Sequence, residues 1–197
     1  DALVERPDGV IGRINYIAKN YGPEALCKVI SQHVGVKIEK YLLFDFSQIA
    51  SIEDFLGGVD IEITSTESNY LQRYAIPKDS TTPRLRGAGT YHFNGHSAVI
   101  YMRIRKVGGG GDFMRTQRVR TVLSTLADQC REITLEEARA LVDSVLENTT
   151  LTNMSTDEMV EAMNYAMELR GCTVEELRLP PDGAATPITY AGMSVQK

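Results

Sequence analysis

No stretch of this 197-residue chain is an apolar run long enough to cross a bilayer, and no secretory signal pattern is present. The chain opens at Asp1, so a precursor could have carried either. Cysteine is scarce. Cys27, Cys130 and Cys172 have no metal-ligand spacing, and their odd number leaves at least one unpaired or bonded outside the chain. Cys27, beside Leu26 on a predicted helix, reads as a buried, inert thiol. With no plausible histidine partner nearby in sequence for any of the three, a catalytic cysteine is not expected. Positive charge is also short: 21 Lys and Arg against 26 Asp and Glu give a net charge of −5. That balance argues against generic DNA binding, which needs a broad basic face. The Walker loop, the dinucleotide-binding glycine fingerprint, G-x-S-x-G and H-E-x-x-H are all missing. There is no internal repeat. With 43% hydrophobic and 24% charged residues the chain can bury a sizeable core and is neither disordered nor fibrous.

Gly22-Pro23 opens a predicted helix on which Leu26, Val29, Ile30 and Val34 recur at helical spacing, and Gly35 ends it. Residues 36–46, VKIEKYLLFDF, read as a buried strand. Ser47 is expected to cap a short helix to about Leu56, Gly57-Gly58 to turn, and VDIEIT to form a strand. Residues 65–89 look like a long polar loop. SAVIYMRIR, within 96–105, reads as a second buried strand that ends in a glycine loop. A helix is expected from about Asp112 to Cys130, with Phe113, Val119, Val122, Leu123 and Leu126 as its apolar stripe. Thr134 with Glu137, and Ser155 with Glu158, are capping boxes for two further helices. PITYAG is a candidate edge strand. Strands alternating with helices imply an α/β fold, a three-layer αβα sandwich around a mixed central sheet. The expected division is a domain over 1–179 and a tail or edge strand over 180–197.

Cations, short overall, crowd into one place. Arg103, Arg105, Lys106, Arg115, Arg118 and Arg120 share a segment whose one acid is Asp112. That segment carries about +5, which leaves about −10 for the remainder. An acidic chain with one cationic concentration is suited to an anion there, and guanidinium groups pair bidentately with phosphate or carboxylate. Arg103 and Arg105, two apart on the predicted strand, would share a face near its C-terminal end. Gly108 to Gly111 would let backbone approach a ligand. Arg115 and Arg118 lie about 60° apart on the helical wheel, close to a helix N-terminus that adds positive potential. These four arginines would make a polyphosphate cradle of the kind phosphoryl transfer needs. Asp112, at the helix start, reads plainly as an N-cap. It could instead orient the arginines, help hold a cation, or accept a proton from an attacking hydroxyl. The competing reading is that the arginines solvate a surface and pair with nearby acids. His33 is expected to satisfy a local carbonyl at a helix end. His92 and His96 flank a turn dipeptide, Asn94-Gly95, and a metal pair from them is a weaker possibility.

Four stretches in order resemble the LytR-CpsA-Psr family: GRINYIAKNYGPEAL at 12–26, YLLFDFSQI at 41–49, LGGVDIEI at 56–63, and GTYHFNGHSAVIYMRIR…GDFMRTQR at 89–118. The last is the specific signal. The resemblance implies an extracytoplasmic, membrane-anchored domain. Such a domain transfers a glycopolymer (teichoic acid, capsule or a similar chain) from a polyprenyl-pyrophosphate carrier to peptidoglycan. It implies a hydrophobic pocket for the lipid and an arginine cluster with Mg2+ for the pyrophosphate. Arg103 and Arg105 match the R-x-R pair of the family pattern, Asp112 its acid, and Arg115 and Arg118 the arginines that follow. Asp112, Arg103 and Arg105 are thereby expected to be catalytic. Arg103, Arg105, Arg115 and Arg118 are expected to bind pyrophosphate. Position 119 is Val where the family usually has Gln, which removes a polar contact. The family's metal-binding aspartates and a further arginine would precede Asp1, so the chain resembles a domain without its first strands, an anchor among the parts upstream. No metal ligand is assigned within it, and a missing strand would expose a sheet edge. Two other roles fit the same resemblance: a non-catalytic binder of polyprenyl phosphate or wall polymer, and a transcription regulator. The acidic balance and the lack of a helix-turn-helix pattern count against the regulator and against nucleic acid as partner.

Overall fold

The computed structural model describes residues 2–73, 84–107, 111–149, 151–172, 184 and 186–196. The fold is α/β, as expected. In chain order its elements begin with β1 (Leu3–Glu5), β2 (Ile11–Arg13), α1 (Asn15–Tyr21), α2 (Pro23–Val34), β3 (Leu42–Leu43), α3 (Phe46–Phe55), β4 (Val59–Ile63) and α4 (Ser65–Arg73). They continue with β5 (Gly89–Phe93), α5 (Gly95–Met102), α6 (Gly111–Glu132), α7 (Leu135–Asn148), β6 (Leu151–Thr152), α8 (Thr156–Glu168), β7 (Pro187–Tyr190) and β8 (Met193–Gln196). Two compact units share the chain. Unit 1 comprises Asp1–Leu42, Thr152–Met154 and Cys172–Lys197; unit 2 comprises Leu43–Leu151 and Ser155–Gly171. The boundary expected at 179–180 lies outside the described residues.

In unit 1, β1 and β2 form an antiparallel hairpin with Val4 opposite Gly12. Helices α1 and α2 meet at Gly22, whose φ of 86° favours glycine. Pro23 starts α2, and Gly35, left-handed at φ 73°, ends it, as the sequence predicts. Val4, Ile17 and Val29 make the core. Cys27 is buried, and His33 Nδ1 lies 2.8 Å from the Val29 carbonyl oxygen. The strand expected over 36–46 is reduced to the two exposed residues of β3. Side chains satisfy the preceding backbone instead of a ladder. Ile38 N–H donates to Ser31 Oγ (2.8 Å) and Tyr41 N–H to Asn153 Oδ1 (3.2 Å). PITYAG does supply a strand: β7 pairs antiparallel with β8.

In unit 2, β4 alternates buried and exposed residues and pairs antiparallel with β5, with Val59 opposite Phe93 and Ile61 opposite Tyr91. Val59, Ile61, Ile63 and Phe93 face a core completed by α5 and α6. Three sequence expectations are corrected here. First, the stretch expected as a strand over 96–105 is helix α5 as far as Met102, followed by a turn. Gly95, Ser97, Ala98, Val99, Tyr101 and Met102 are all buried, so the helix is apolar nearly all round and shows no amphipathic period to distinguish it from a strand. Asn94-Gly95 is accordingly no hairpin turn: Asn94 caps α5, its side-chain oxygen accepting from Ser97 N–H at 2.9 Å. Second, 65–73 is helix α4, not loop. Thr64 and Glu67 form a reciprocal cap in which Glu67 Oε2 accepts from Thr64 N–H (2.9 Å) and Thr64 Oγ1 from Glu67 N–H (3.2 Å). Third, α3 is capped by Asp45 with Gln48, two residues before Ser47. Both predicted capping boxes, at Thr134 and Ser155, are present. On α6 Val122 and Leu126 are buried, whereas Phe113 and Leu123 are exposed.

Candidate functional site

The Asp45 carboxylate accepts from Gln48 N–H at 2.9 Å, which fixes the start of α3 and puts Phe46 at its first position with Ile49 one turn on. Helix α5 ends at Met102, and Arg103 closes it, its N–H donating to the Val99 and Ile100 carbonyls. Ile104, next along, is buried to 1% exposure, and Arg103 and Arg105 on either side of it are both exposed. The shared side expected from strand alternation therefore arises from the turn that leaves α5, anchored by buried Ile104, whose N–H donates to the Tyr101 carbonyl at 3.2 Å. From α6, Arg115 and Val119 complete the arrangement. Phe46, Ile49, Met102, Arg103, Arg105, Arg115 and Val119 line one hollow of about 510 Å³. Its wall is apolar on four residues and cationic on three, and no acid lines it among the described residues. The Arg103 guanidinium carbon sits 4.6 Å from the centroid of the Phe46 ring. A hollow with this lining suits an anion attached to an apolar chain.

Arg118 is elsewhere. It is 2% exposed, and its Nε donates to Glu67 Oε1 at 2.7 Å. Its two terminal nitrogens donate to the Ile104 carbonyl (3.1 Å) and the Val107 carbonyl (3.2 Å). Its guanidinium also lies over the Tyr101 ring, 6.0 Å from the centroid. This side chain is committed to unit 2's interior and does not line the hollow, so the expected contact with pyrophosphate is not one its position offers. It acts one step back, pinning the backbone that carries Arg105. Burial pushes the Glu67 carboxyl up, but the Thr64 N–H, the Arg118 guanidinium and the Thr64 hydroxyl outweigh it and hold the carboxyl below its ordinary range. Burial, reinforced by the Glu67 charge, pushes the Tyr101 phenol up to about 12.

Asp112 stands in the first turn of α6, and its side chain lies outside the described residues, as do Gly108–Gly110. Arg103, Arg105 and Arg115 are thus the predicted residues that the structure brings together. His92 faces Asp60 across the β4–β5 pair, Nδ1 to Oδ1 at 2.8 Å. Among the described residues no three His, Cys, Asp or Glu side chains group as a metal site. Sequence reasoning missed Phe46, Ile49 and Met102 as an apolar wall, because hollow and core positions share one helical period. It also missed Glu67, for which the Thr64–Glu67 capping box was a usable signal, and Glu53. Glu53 is wholly buried on α3, with neither carboxyl oxygen hydrogen-bonded, and burial followed by the Asp54 charge pushes it up to about 8.

Arginines thus gather in an α/β unit at the exit of one helix and near the start of the next. The chain matches the LytR_cpsA_psr family over residues 1–197 and belongs to it. Among curated relatives, it is 24% identical over 175 residues to TagU of Bacillus licheniformis, named a polyisoprenyl-teichoic acid--peptidoglycan teichoic acid transferase. That match takes in 89% of this chain and 53% of the relative, so the chain spans about half the relative's length. Two solved structures share the fold over 100% of this chain. They are Bacillus subtilis TagT (TM-score 0.75, 19% identity, 69% of that chain) and a protein from Enterococcus faecalis titled a transcriptional regulator (TM-score 0.73, 17% identity, 67% of that chain). No helix among the described residues is long and apolar enough to cross a membrane.

Proposed function

We propose that this domain transfers an anionic glycopolymer, a teichoic acid, capsule chain or similar, from a polyprenyl-pyrophosphate carrier to peptidoglycan. One observation carries the reading: three guanidinium groups, of Arg103, Arg105 and Arg115, meet an apolar wall in one hollow. The arginines would hold the pyrophosphate, and Ile49, Met102 and Val119 would take the first isoprene units. Val119, in place of the family's usual Gln, extends the apolar share of that wall. The name carried by TagU of B. licheniformis gives a polyisoprenyl-linked teichoic acid as donor and peptidoglycan as acceptor, and family membership supports extending that chemistry to this chain. The E. faecalis title, at 17% identity, bears on the fold alone.

In the proposed step an acceptor sugar hydroxyl attacks the phosphorus joined to the glycan. The new oxygen–phosphorus bond forms as the bond from that phosphorus to the bridging pyrophosphate oxygen breaks. Polyprenyl phosphate leaves with the bonding pair, and the hydroxyl proton passes to a base, the role proposed for Asp112. Negative charge grows on the departing phosphate, where Arg103 and Arg105 would stabilise it more in the transition state than in the ground state. In this reading the domain works outside the cytoplasm, held at the membrane by a segment of the full-length protein, with peptidoglycan and a lipid-linked polymer as partners.

Incubation with a polyprenyl-pyrophosphate-linked teichoic acid and peptidoglycan tests the reaction. Release of polyprenyl phosphate together with wall-attached polymer is expected, falling about 100-fold or more in Arg105→Ala. Arginine-dependent binding with no turnover would reduce the domain to a polyprenyl-phosphate-binding module. Steeply salt-dependent binding to duplex DNA would favour the regulator instead.

A further inference from the structure

We infer that Phe46 is a positioning residue for the pyrophosphate site: its ring holds the Arg103 guanidinium in place and leaves the N–H groups turned away from it for the ligand. The inference rests on the pyrophosphate reading and deepens it. Phe46 is 52% exposed, although its side chain is of the kind a core would bury, and it faces the hollow. Its backbone is held by the reciprocal Asp45–Gln48 cap, so the ring has a fixed root. Arg103 has an equally fixed root, because its N–H closes the last turn of α5 on the Val99 and Ile100 carbonyls at 3.2 and 3.1 Å. Between these two anchors the guanidinium carbon lies 4.6 Å from the ring centroid.

An arginine side chain loses much rotamer freedom when it grips a ligand. A guanidinium already stacked on an aromatic face has surrendered part of that freedom beforehand. A guanidinium has five N–H groups and a ring cannot accept them all, so the contact leaves donors for paired phosphate oxygens. The ring thus contributes through Arg103 and not through the lipid. That separates it from Ile49, Met102 and Val119, whose only contribution to the hollow is apolar surface.

Titration calorimetry with two probes, farnesyl pyrophosphate and inorganic pyrophosphate, distinguishes these roles in the intact chain. Phe46→Leu keeps an apolar side chain and removes the ring. It is expected to weaken both probes by about 3–30-fold, the range of one cation–π contact. Phe46→Tyr, which restores a ring face, is expected to bind within about twofold of wild type. Phe46→Leu in an Arg103→Ala background is expected to add no further loss. An unchanged melting temperature in each variant shows that the fold is intact. Loss confined to farnesyl pyrophosphate, or equal loss with and without Arg103, would overturn the inference and make Phe46 a lipid contact. Arg103-dependent binding indifferent to Phe46 would overturn the inference and leave the pyrophosphate reading standing. Failure of wild type to bind either probe would overturn both.

Discussion

Arg115 and Arg118 sit three residues apart on one helix and have opposite surroundings. Arg115 reaches the hollow, whereas Arg118 is sealed inside against Glu67 and two carbonyls. Removing one member of a buried, hydrogen-bonded pair leaves the other charge unpaired. Arg118→Ala is therefore expected to cost about 3–5 kcal/mol, seen as a fall in the denaturant midpoint. Arg115→Ala should leave that midpoint nearly unchanged and act on ligand affinity. The two buried glutamates give opposite pH dependence. Glu67, held low, contributes stability above its ordinary value of 4.5, and that contribution is lost as pH falls through its lower folded-state value. Glu53, pushed up to about 8, keeps a proton in the folded state that the unfolded chain releases above about 4.5. Stability should then fall as pH rises across that window and level off above it. Thermal melts from pH 5 to 9 check this: Glu53→Gln should gain on wild type steadily up to about pH 8 and no further. Parallel curves would contradict the assignment.

At the scale of elements, the close crossing of α3 and α5 depends on Gly95. A β-carbon there would collide with the Ala50 carbonyl oxygen of α3, and the Gly95 N–H donates to Asp54 Oδ1 at 2.7 Å. Gly95→Ala is expected to destabilise by about 1–3 kcal/mol, measured by urea unfolding, because helix backbone would have to move. Those helices hold Phe46 and Arg103, so the same variant should also loosen the site. Much of this was legible in the sequence wherever a local rule acts alone. Pro23 and Gly35 bound α2, Thr134 and Ser155 cap α7 and α8, and β4 alternates as half-buried strands do. What was not legible depended on burial. SAVIYM is apolar on every side because α5 is enclosed, so its composition reads as a strand until neighbours are known. The VKIEKYLLFDF run has strand-forming residues, yet only Leu42–Leu43 form a strand, while Ile38 and Tyr41 before it bond Ser31 and Asn153. At the site, the cluster of cations was visible and its sorting was not. A linear count sees Arg103, Arg105, Arg115 and Arg118 alike, and only packing against Glu67 removes the last from the hollow.

Over the whole molecule, the net charge of −5 is the sum of one segment carrying about +5 and a remainder carrying about −10. Long-range attraction for an anionic ligand is thus weak, and the site must act at short range, through bidentate contacts in a hollow that is partly apolar. Binding should be less salt-sensitive than that of a broad basic face, since exposed charges are screened beyond about 10 Å at 0.1 M salt and close pairs are not. The most direct test of the account is the affinity of the chain for a short polyprenyl pyrophosphate, measured for wild type and four single variants. Arg103→Ala, Arg105→Ala and Arg115→Ala are each expected to weaken it about tenfold or more, the worth of a charge-assisted hydrogen bond. Arg120→Ala, which removes the same charge from α6 outside the hollow, is expected to change it little. An equal loss in all four, or none in any, would show that net charge or some other surface binds the ligand and would contradict a shared pyrophosphate site.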